Sequence, residues 1–271
     1  YRRSELDFDA TDTTLDLSYK LSDDTLAYMT VATGYKSGGF DQRFVGPTPD
    51  GAPSSYRPES VDSLELGLKT SSSDGRLRVN VSVFDADYDD LQIIVRESFN
   101  PLTVNAGAAR IRGGELELQW LASANWEFGF SAGHLDTEYR RLNQPAQDSG
   151  VRLDNKLANS PTWSVAAGTS YRLGLSSLGE VTARLDWAWQ DTEYNDAVNS
   201  PQIRQSAFHR VNASLAFAPW ESDWQLTVAT RNLFDETYLV SGNSAFDTTA
   251  AYVEQVYGRP REFLVSLTYE F

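Results

Sequence analysis

Apolar and polar residues alternate with a period of two along most of this chain. In the segment 77–83, one leucine and three valines alternate with Arg78, Asn80 and Ser82, and the same pattern recurs at 181–190. Successive side chains of a β-strand point to opposite faces, so this period indicates strands that have one apolar and one polar face. Because sustained helical periodicity is absent, the pattern predicts an all-β protein.

The alternating segments predict eleven strands, with bounds accurate to a few residues. They are 14–21, 25–38, 60–70, 76–95, 102–120, 126–138, 161–173, 180–194, 204–217, 224–232 and 260–271. The alternation changes phase near Phe84, which predicts a bulge in the fourth strand.

The connections between these strands alternate between short and long. The short ones are 22–24, 71–75, 121–125, 174–179 and 218–223, and the longer ones are 39–59, 97–101, 139–160, 195–203 and 233–259. A soluble β-sandwich also alternates apolar and polar residues. Short turns on one rim and longer loops on the other are instead typical of an outer-membrane β-barrel. The pattern therefore favours a transmembrane antiparallel up-and-down β-barrel.

The aromatic residues agree with a membrane barrel. Trp120 and Trp126 flank one short turn, and Trp220 and Trp224 flank another. Indole rings favour the interface between membrane and water. The alternative is that these are core tryptophans of a soluble, carbohydrate-binding β-sandwich.

Composition removes several classes of function. The 271 residues carry a formal net charge of −15, which argues against a nucleic-acid partner because phosphate binding requires a basic surface. The absence of cysteine excludes disulfides and cysteine-based metal sites. No apolar run reaches the length of about 18 residues that a transmembrane helix needs. A barrel strand needs only about 9–11 residues, so a membrane barrel remains possible.

No motif for catalysis, a cofactor or a metal stands out. Asp85, Asp87 and Asp89 are spaced like the start of a calcium loop, but Asp90 and Arg96 stand where that loop needs Gly and Glu. They are better interpreted as a solvated strand end. The two histidines lie outside any supporting motif, and neither a nucleophile elbow nor a Gly-rich phosphate loop occurs. We therefore expect no enzymatic activity, metal or cofactor.

The chain ends on a stripe of apolar residues at every second position. These residues are Phe263, Val265, Leu267, Tyr269 and Phe271. The stripe predicts a last strand that faces lipid, and it resembles the C-terminal signal by which outer-membrane barrels are recognised by their assembly machinery. The alternative is an ordinary half-buried final strand.

Five segments together resemble TonB-dependent outer-membrane receptors, and they occur in the order found in that family. They are LAYMTVATGYKSGGF (26–40), YRPESVDSLELGLKT (56–70), NAGAARIRGGELEL (105–118), TRNLFDETY (230–238) and GRPREFLVSLTYEF (258–271). The resemblance implies a bacterial outer-membrane location and a 22-stranded barrel filled by an N-terminal plug. Residues 1–271 would then be a partial C-terminal barrel domain of about eleven strands, and the plug and the early strands would be absent from this chain, which starts without Met.

The resemblance also implies active import of a ferric siderophore or a similar scarce nutrient. Energy would come from the inner-membrane proton gradient through the TonB complex, which would act on the missing N-terminal region. The other expected partners are outer-membrane lipid, the barrel assembly machinery and the small-molecule nutrient. The alternative within the membrane class is a passive porin or another outer-membrane barrel, against which the NLFD and KSGGF segments count.

Ligand would contact the long loops and the upper lumen. The candidates, chosen because aromatic and arginine side chains on loops offer stacking and anion pairing, are Phe44, Tyr56, Arg57, Arg141, Phe246 and Tyr252. Each of them can equally serve to pack the loops. The charges on the long loops are roughly balanced, so sequence alone favours neither an anionic nor a cationic ligand.

Overall fold

Strands make up most of the chain in a computed structural model, which describes residues 5–41, 54–97, 100–247 and 251–270. In chain order the strands are β1 (Thr14–Ser22), β2 (Thr25–Lys36), β3 (Gly39–Phe40), β4 (Ser55–Tyr56), β5 (Glu59–Ser71), β6 (Leu77–Asp89), β7 (Gln92–Glu97), β8 (Asn100–Asn105), β9 (Gly107–Ser123), β10 (Trp126–Leu142), β11 (Trp163–Leu175), β12 (Gly179–Gln190), β13 (Glu193–Tyr194), β14 (Arg204–Gln205), β15 (Phe208–Ala218), β16 (Trp224–Arg231), β17 (Leu239–Ser244), β18 (Val253–Tyr257) and β19 (Glu262–Tyr269). A short helix, α1 (Gln144–Asp148), and a 3-10 turn, Pro201–Ile203, lie in the connections.

Eleven of these strands form one antiparallel sheet, which we call the wall. Its order is β1-β2-β5-β6-β9-β10-β11-β12-β15-β16-β19, so that neighbours in the sheet follow one another along the chain. The described part of β19 pairs with β16 alone and β1 with β2 alone, so the sheet is open. The predicted eleven-stranded, up-and-down arrangement is confirmed.

The wall has a short-turn rim and a long-loop rim. All connections at the short-turn rim span two to five residues, such as 23–24 and 219–223, counted between the strand bounds. The connections at the other rim are all longer, and four contain a two-stranded hairpin: β3-β4, β7-β8, β13-β14 and β17-β18. The alternation of short and long connections is confirmed.

The pairing register assigns each wall side chain to one of two faces. On β12, Leu185 pairs with Ala213 of β15, whereas the next residue, Asp186, pairs with Asn212. The phase of Leu185 continues across the wall as the apolar face, which includes Leu66, Val83, Leu116, Leu215, Val228 and Leu267. The phase of Asp186 continues as the polar face, which includes Glu65, Arg78, Glu117, Ser131, Arg184 and Ser266.

The apolar face is exposed along its length. Leu215 is 57% exposed and Leu267 is 69% exposed. A contiguous apolar surface of this extent needs an apolar medium or a covering partner. At the short-turn rim this face ends in aromatic rings, where Trp126 lies edge-on to Tyr171 with ring centroids 5.8 Å apart.

The bulge predicted near Phe84 is wrong. The pairing of β6 with both of its neighbours runs without a break from Arg78 to Tyr88. The alternation changes phase because the residue types on the two faces change beyond Val83. Phe84 and Tyr88 lie on the polar face, whereas Asp85 and Asp87 lie on the same face as Val83. There Asp85 pairs with Arg110, and Arg140 lies 3.2 Å from Asp87, so the aspartates belong to an ion-pair network at a strand end.

The wall strands near 76–120 are shorter than predicted. β6 ends at Asp89 and β9 begins at Gly107, whereas β7 and β8 form a separate hairpin between them. Asp90 has a φ of 52°, which turns the chain out of the extended conformation. Residues 193–194 and 204–205 likewise form their own small pair, so β12 ends at Gln190 and β15 begins at Phe208.

The main buried cluster lies at the long-loop rim. Ile93, Val95, Leu157 and Ala197, which come from three connections, form one cluster with Tyr139. Tyr139 pairs with Ala109 in the phase of the polar face. The connections therefore fold over the polar side of the wall. Among the described residues, no helix is long and apolar enough to cross a bilayer.

Candidate ligand-binding site at the long-loop rim

Two of the sequence motifs pack directly on each other at the long-loop rim. A Cβ added to Gly38 would come within 2.4 Å of the carbonyl oxygen of Tyr56, and a Cβ on Gly39 within 2.7 Å of the Tyr56 hydroxyl. The paired glycines of KSGGF therefore admit the backbone and ring of the YRPE segment. Tyr56, one of the ligand candidates, thus packs against two glycines of its own connection, the one between β2 and β5.

A third motif joins this contact through Asn105. Its amide oxygen accepts the backbone N–H of Arg57 at 2.7 Å, and its amide nitrogen donates to the carbonyl oxygens of Arg57 and Asp90 at 2.9 and 2.8 Å. The guanidinium of Arg57 also contacts the Asp90 carboxylate at 2.8 Å. Glu59 accepts the backbone N–H of Gln92 at 2.6 Å and so anchors the start of β7. We call these contacts of Asn105, Arg57 and Asp90 the first clasp, and together with Glu59 they position the β7-β8 hairpin on the wall.

The NLFD segment forms a second clasp around Asn232. Asn232 is buried and has a φ of 49°, a left-handed conformation that asparagine tolerates better than most residues. Its side chain donates to the carbonyl oxygens of Glu236 and Arg259 at 2.8 and 3.1 Å and accepts the Glu236 N–H at 2.8 Å. Its backbone N–H donates to Asn212 on β15. The motif therefore closes the turn after β16 and ties it to the start of β19.

A cavity of about 900 Å³ lies above the polar face. It is lined by described residues of four connections, which join β6 to β9, β10 to β11, β12 to β15 and β16 to β19. Its floor contains Tyr88, Ile111 and Tyr139 from the wall, and its sides come from the β7-β8 and β17-β18 hairpins and from residues near 148–160 and 195–200. Ile94 and Phe246 line it and are 64% and 52% exposed. Arg96 also lines it, and the Arg96 guanidinium lies 3.4 Å from the Tyr252 hydroxyl.

The structure divides five of the six ligand candidates into two groups, and the sixth, Phe44, lies outside the described residues. Phe246 lines the cavity, and Tyr252 reaches it through Arg96. The second group, Tyr56, Arg57 and Arg141, lies at the long-loop end of β6. There Arg57 contacts Asp90, and Arg141 is 3.6 Å from Asp89. Whether these residues contact ligand stays a prediction.

Sequence reasoning missed the residues that build the cavity from several connections. Ile94, Arg96 and Asp196 all line it. One local signal was available, because Ile93, Ile94 and Val95 form an apolar run without alternation inside a predicted strand. Such a run indicates residues that are enclosed on both sides.

Six charged side chains of the wall strands lie on the polar face. They are Arg78, Glu115, Glu117, Arg184, Asp186 and Arg210, and they surround two adjoining hollows of about 340 and 570 Å³. Arg184 pairs with Asp186 at 2.7 Å. Glu117 accepts a hydrogen bond from Asn80 at 3.1 Å. A polar, partly paired surface of this kind can contact water, ligand or a further domain.

The described residues contain no cluster of three or more histidine, cysteine, aspartate or glutamate side chains that could hold a metal ion. His134 lies on the apolar face against Trp163, with ring centroids 4.6 Å apart. Burial raises the pKa of the Glu193 carboxyl, which belongs to the connection between β12 and β15, and a hydrogen bond with Gln190 partly opposes this rise.

The C-terminal stripe lies on the apolar face. Phe263, Val265, Leu267 and Tyr269 are each more than half exposed, and their cross-strand partners Thr230, Val228, Leu226 and Trp224 are in the same phase. Phe271 lies outside the described residues. The role of the stripe in assembly stays a prediction.

Comparison with known proteins identifies the family. The profile described as TonB dependent receptor-like, beta-barrel, matches residues 2–233. The pesticin receptor of Yersinia pestis is 26% identical over 229 residues, covering 84% of this chain and 32% of that protein. The chain thus spans about a third of the length of the curated relatives it matches.

Solved structures agree on the fold. The ferric yersiniabactin uptake receptor FyuA from Yersinia pestis has a TM-score of 0.79 at 21% identity, covering 95% of this chain and 37% of that one. The ferric-catecholate import receptor Fiu from E. coli K12 has a TM-score of 0.70 at 16% identity, covering 95% and 34%. The relatives and structural neighbours are outer-membrane proteins of Gram-negative bacteria. This chain belongs to the TonB-dependent receptor β-barrel family and is part of an outer-membrane barrel wall.

Proposed function

We propose that the native protein is a TonB-dependent transporter that imports a ferric siderophore or a similarly scarce nutrient. The observation that carries this proposal is the cavity of about 900 Å³ at the long-loop rim, directly above a polar wall. A ligand bound at this rim would next meet the polar face of the wall. The opposite, apolar face of the wall would contact lipid. The family and the import functions named for FyuA and Fiu support the same conclusion.

The transport steps of this chain would be binding and guiding, without covalent chemistry. Exposed Ile94 and Phe246 offer apolar contact, and Arg96 offers one cationic hydrogen-bond donor. The charges of the polar face, such as Arg78 and Glu117, would keep the passage hydrated. Energy would come from the inner-membrane proton gradient through the TonB complex.

The complete barrel would need strands beyond those of this chain. Each edge of the wall exposes backbone N–H and C=O groups, and such groups cost several kcal/mol each when they face hydrocarbon. We propose that about eleven further strands join β1 and β19 and that a plug domain fills the lumen, as the family resemblance implies. The partly paired charges on the polar face would meet that plug. The apolar stripe of β19 would be recognised by the barrel assembly machinery.

The experiment that tests this function is growth of a gene-deletion strain on single iron sources. The strain should lose growth on at least one ferric chelate, and the native gene should restore it only when TonB is present. A matched pair of variants sharpens the test. Arg96→Ala, in the cavity, should weaken uptake, whereas Arg152→Ala, which removes an exposed arginine paired with Asp154, should not.

Two results would contradict the proposal. Uptake that is restored equally in a strain without TonB would indicate a passive porin. Equal growth of the deletion strain and its parent on every iron, copper, cobalamin and sugar source would remove a transport role.

A further inference from the structure

The charged groups around the cavity at the long-loop rim are unequal in sign. Asp148, Asp196 and Asp247 line the cavity, and Arg96 is the one basic residue among the described residues that do so. Three carboxylates against one guanidinium give the described lining a formal charge of −2. The loops as a whole looked balanced in sequence, so the imbalance arises from where the fold places each charge.

Three basic residues of the connections make their contacts outside the cavity. Arg152 pairs with Asp154 at 3.0 Å, and the ammonium of Lys156 lies 2.9 Å from the Thr162 hydroxyl. Arg57 pairs with Asp90 in the first clasp. None of these three cations lines the cavity.

The carboxylates differ in how firmly the fold holds them. The Asp196 carboxylate accepts hydrogen bonds from the backbone N–H and the hydroxyl of Ser200 at 2.8 and 2.6 Å. These two bonds fix its orientation. Asp148 is exposed and accepts only one neutral donor, the Gln144 side-chain amide at 2.7 Å. Asp247 is exposed as well. None of the three carboxylates forms an ion pair with an arginine or lysine among the residues that the structure describes.

The remaining polar lining is neutral. It consists of amide and hydroxyl groups such as those of Asn159, Ser160, Asn195 and Asn243. Amides and hydroxyls recognise carbonyl, hydroxyl and amide groups of a ligand without requiring charge. Arg96 can pair with one anionic group. A ligand with several negative charges would meet repulsion from the carboxylates and find a single cation.

We infer that this cavity selects a ferric chelate of neutral or positive net charge over one that is strongly anionic. The inference rests on the proposed transport function and adds a substrate class to it. Three hydroxamate groups balance the charge of Fe³⁺ and give a neutral chelate, and a protonated amine on the ligand makes it positive. Three catecholates give a chelate of charge −3.

Binding of three such chelates to the purified native protein tests the inference. The probes are a neutral ferric trihydroxamate, its analogue with one protonated amine, and a ferric tris-catecholate. Both hydroxamates should bind at least about ten-fold more tightly than the tris-catecholate at low salt, and the difference should shrink at high salt. Tighter or equal binding of the tris-catecholate would overturn the inference and leave the transport function standing.

Variants locate the effect in the cavity. The double variant Asp148→Asn, Asp247→Asn should reduce the preference by about five-fold, because it removes two cavity charges and keeps the side-chain shapes. Asp154→Asn is the matched control, since it removes one charge from the same connection as Asp148 but outside the cavity. An equal effect of the control would refute a cavity origin. Failure of all three probes to bind, together with normal growth of the deletion strain, would instead refute the transport function.

Discussion

The ring of Tyr238 lies against the backbone of Gly258 so closely that a Cβ at Gly258 would come within 2.1 Å of it. The Gly258 N–H also donates to the Tyr238 carbonyl at 2.8 Å. Phe208 stacks on the same ring at 4.7 Å, and the Arg210 guanidinium lies 5.2 Å from its centroid. Tyr238, which ends TRNLFDETY, and Gly258, which begins GRPREF, therefore form one packing unit with β15.

Replacement of Gly258 by alanine should destabilise this unit. The added methyl would push the ring out of its stack, and overpacking of this kind typically costs about 1–3 kcal/mol. Gly129→Ala is the control, because a Cβ at Gly129 meets no atom within 4 Å. Urea unfolding of the native protein in liposomes measures both. A Gly258→Ala variant as stable as Gly129→Ala would contradict the packing account.

Replacement of Asn232 should separate its hydrogen bonds from its backbone conformation. Asn232→Gly keeps the left-handed conformation at little cost but leaves the Glu236 N–H without its partner, and a buried unsatisfied group costs about 1–3 kcal/mol. Asn232→Ala loses the same bonds and adds about 1–2 kcal/mol of backbone strain. The order of stability by urea unfolding should be wild type, Gly, Ala. Equal stability of all three would show that the second clasp does not stabilise the rim.

Arginine at Leu267 should be far more costly than arginine at Ser266. Leu267 lies on the apolar face and Ser266 on the polar face of the same strand. Near the bilayer midplane a lipid-facing arginine costs about 2–4 kcal/mol, whereas a lumen-facing one is tolerated. Unfolding from liposomes gives the difference directly. If both arginines were tolerated equally, the two faces would be assigned wrongly.

The connection between β12 and β15 should become less stable as pH rises through the raised pKa of Glu193. The folded state keeps the Glu193 proton to a higher pH than the unfolded chain does, so the stabilisation present below the normal glutamate pKa is lost above the raised one. Glu193→Gln should remove this dependence and protect the connection at neutral pH. Hydrogen exchange of residues 191–207 at pH 4 and 7, corrected for intrinsic rates, measures it. A pH dependence that is unchanged in the variant would refute the assignment to Glu193.

The wall could be predicted from sequence because its signal is local. Alternation and turn length specify all eleven strands, and they correctly placed Arg184 and Leu185 on opposite faces. The separate β7-β8 hairpin was missed because it depends on the positive φ of Asp90 and on bonds from Asn105 to Arg57, 48 residues away. A period of two carries no information about such contacts.

The candidate site was harder to predict because it is assembled from several connections. Phe246 was chosen by residue type and does line the cavity, whereas Arg57 is engaged in the first clasp with Asp90. Arg96 and Asp196 come from connections about 100 residues apart, and their proximity follows only from the wall order. The sign of the cavity charge likewise depends on which loop cations pair elsewhere.

A spin-label scan of β19 shows whether one face of the wall meets lipid and the other meets the lumen. This chain contains no cysteine. A cysteine introduced at any one of positions 263–269 therefore gives a single site for a nitroxide label within it. In liposomes, labels at Phe263, Val265, Leu267 and Tyr269 should be accessible to lipid-soluble oxygen. Labels at Leu264, Ser266 and Thr268 should be shielded from oxygen and reached by a water-soluble nickel complex wherever the lumen is open. Loss of this two-residue period, or a period of the opposite phase, would contradict the assignment of the two faces.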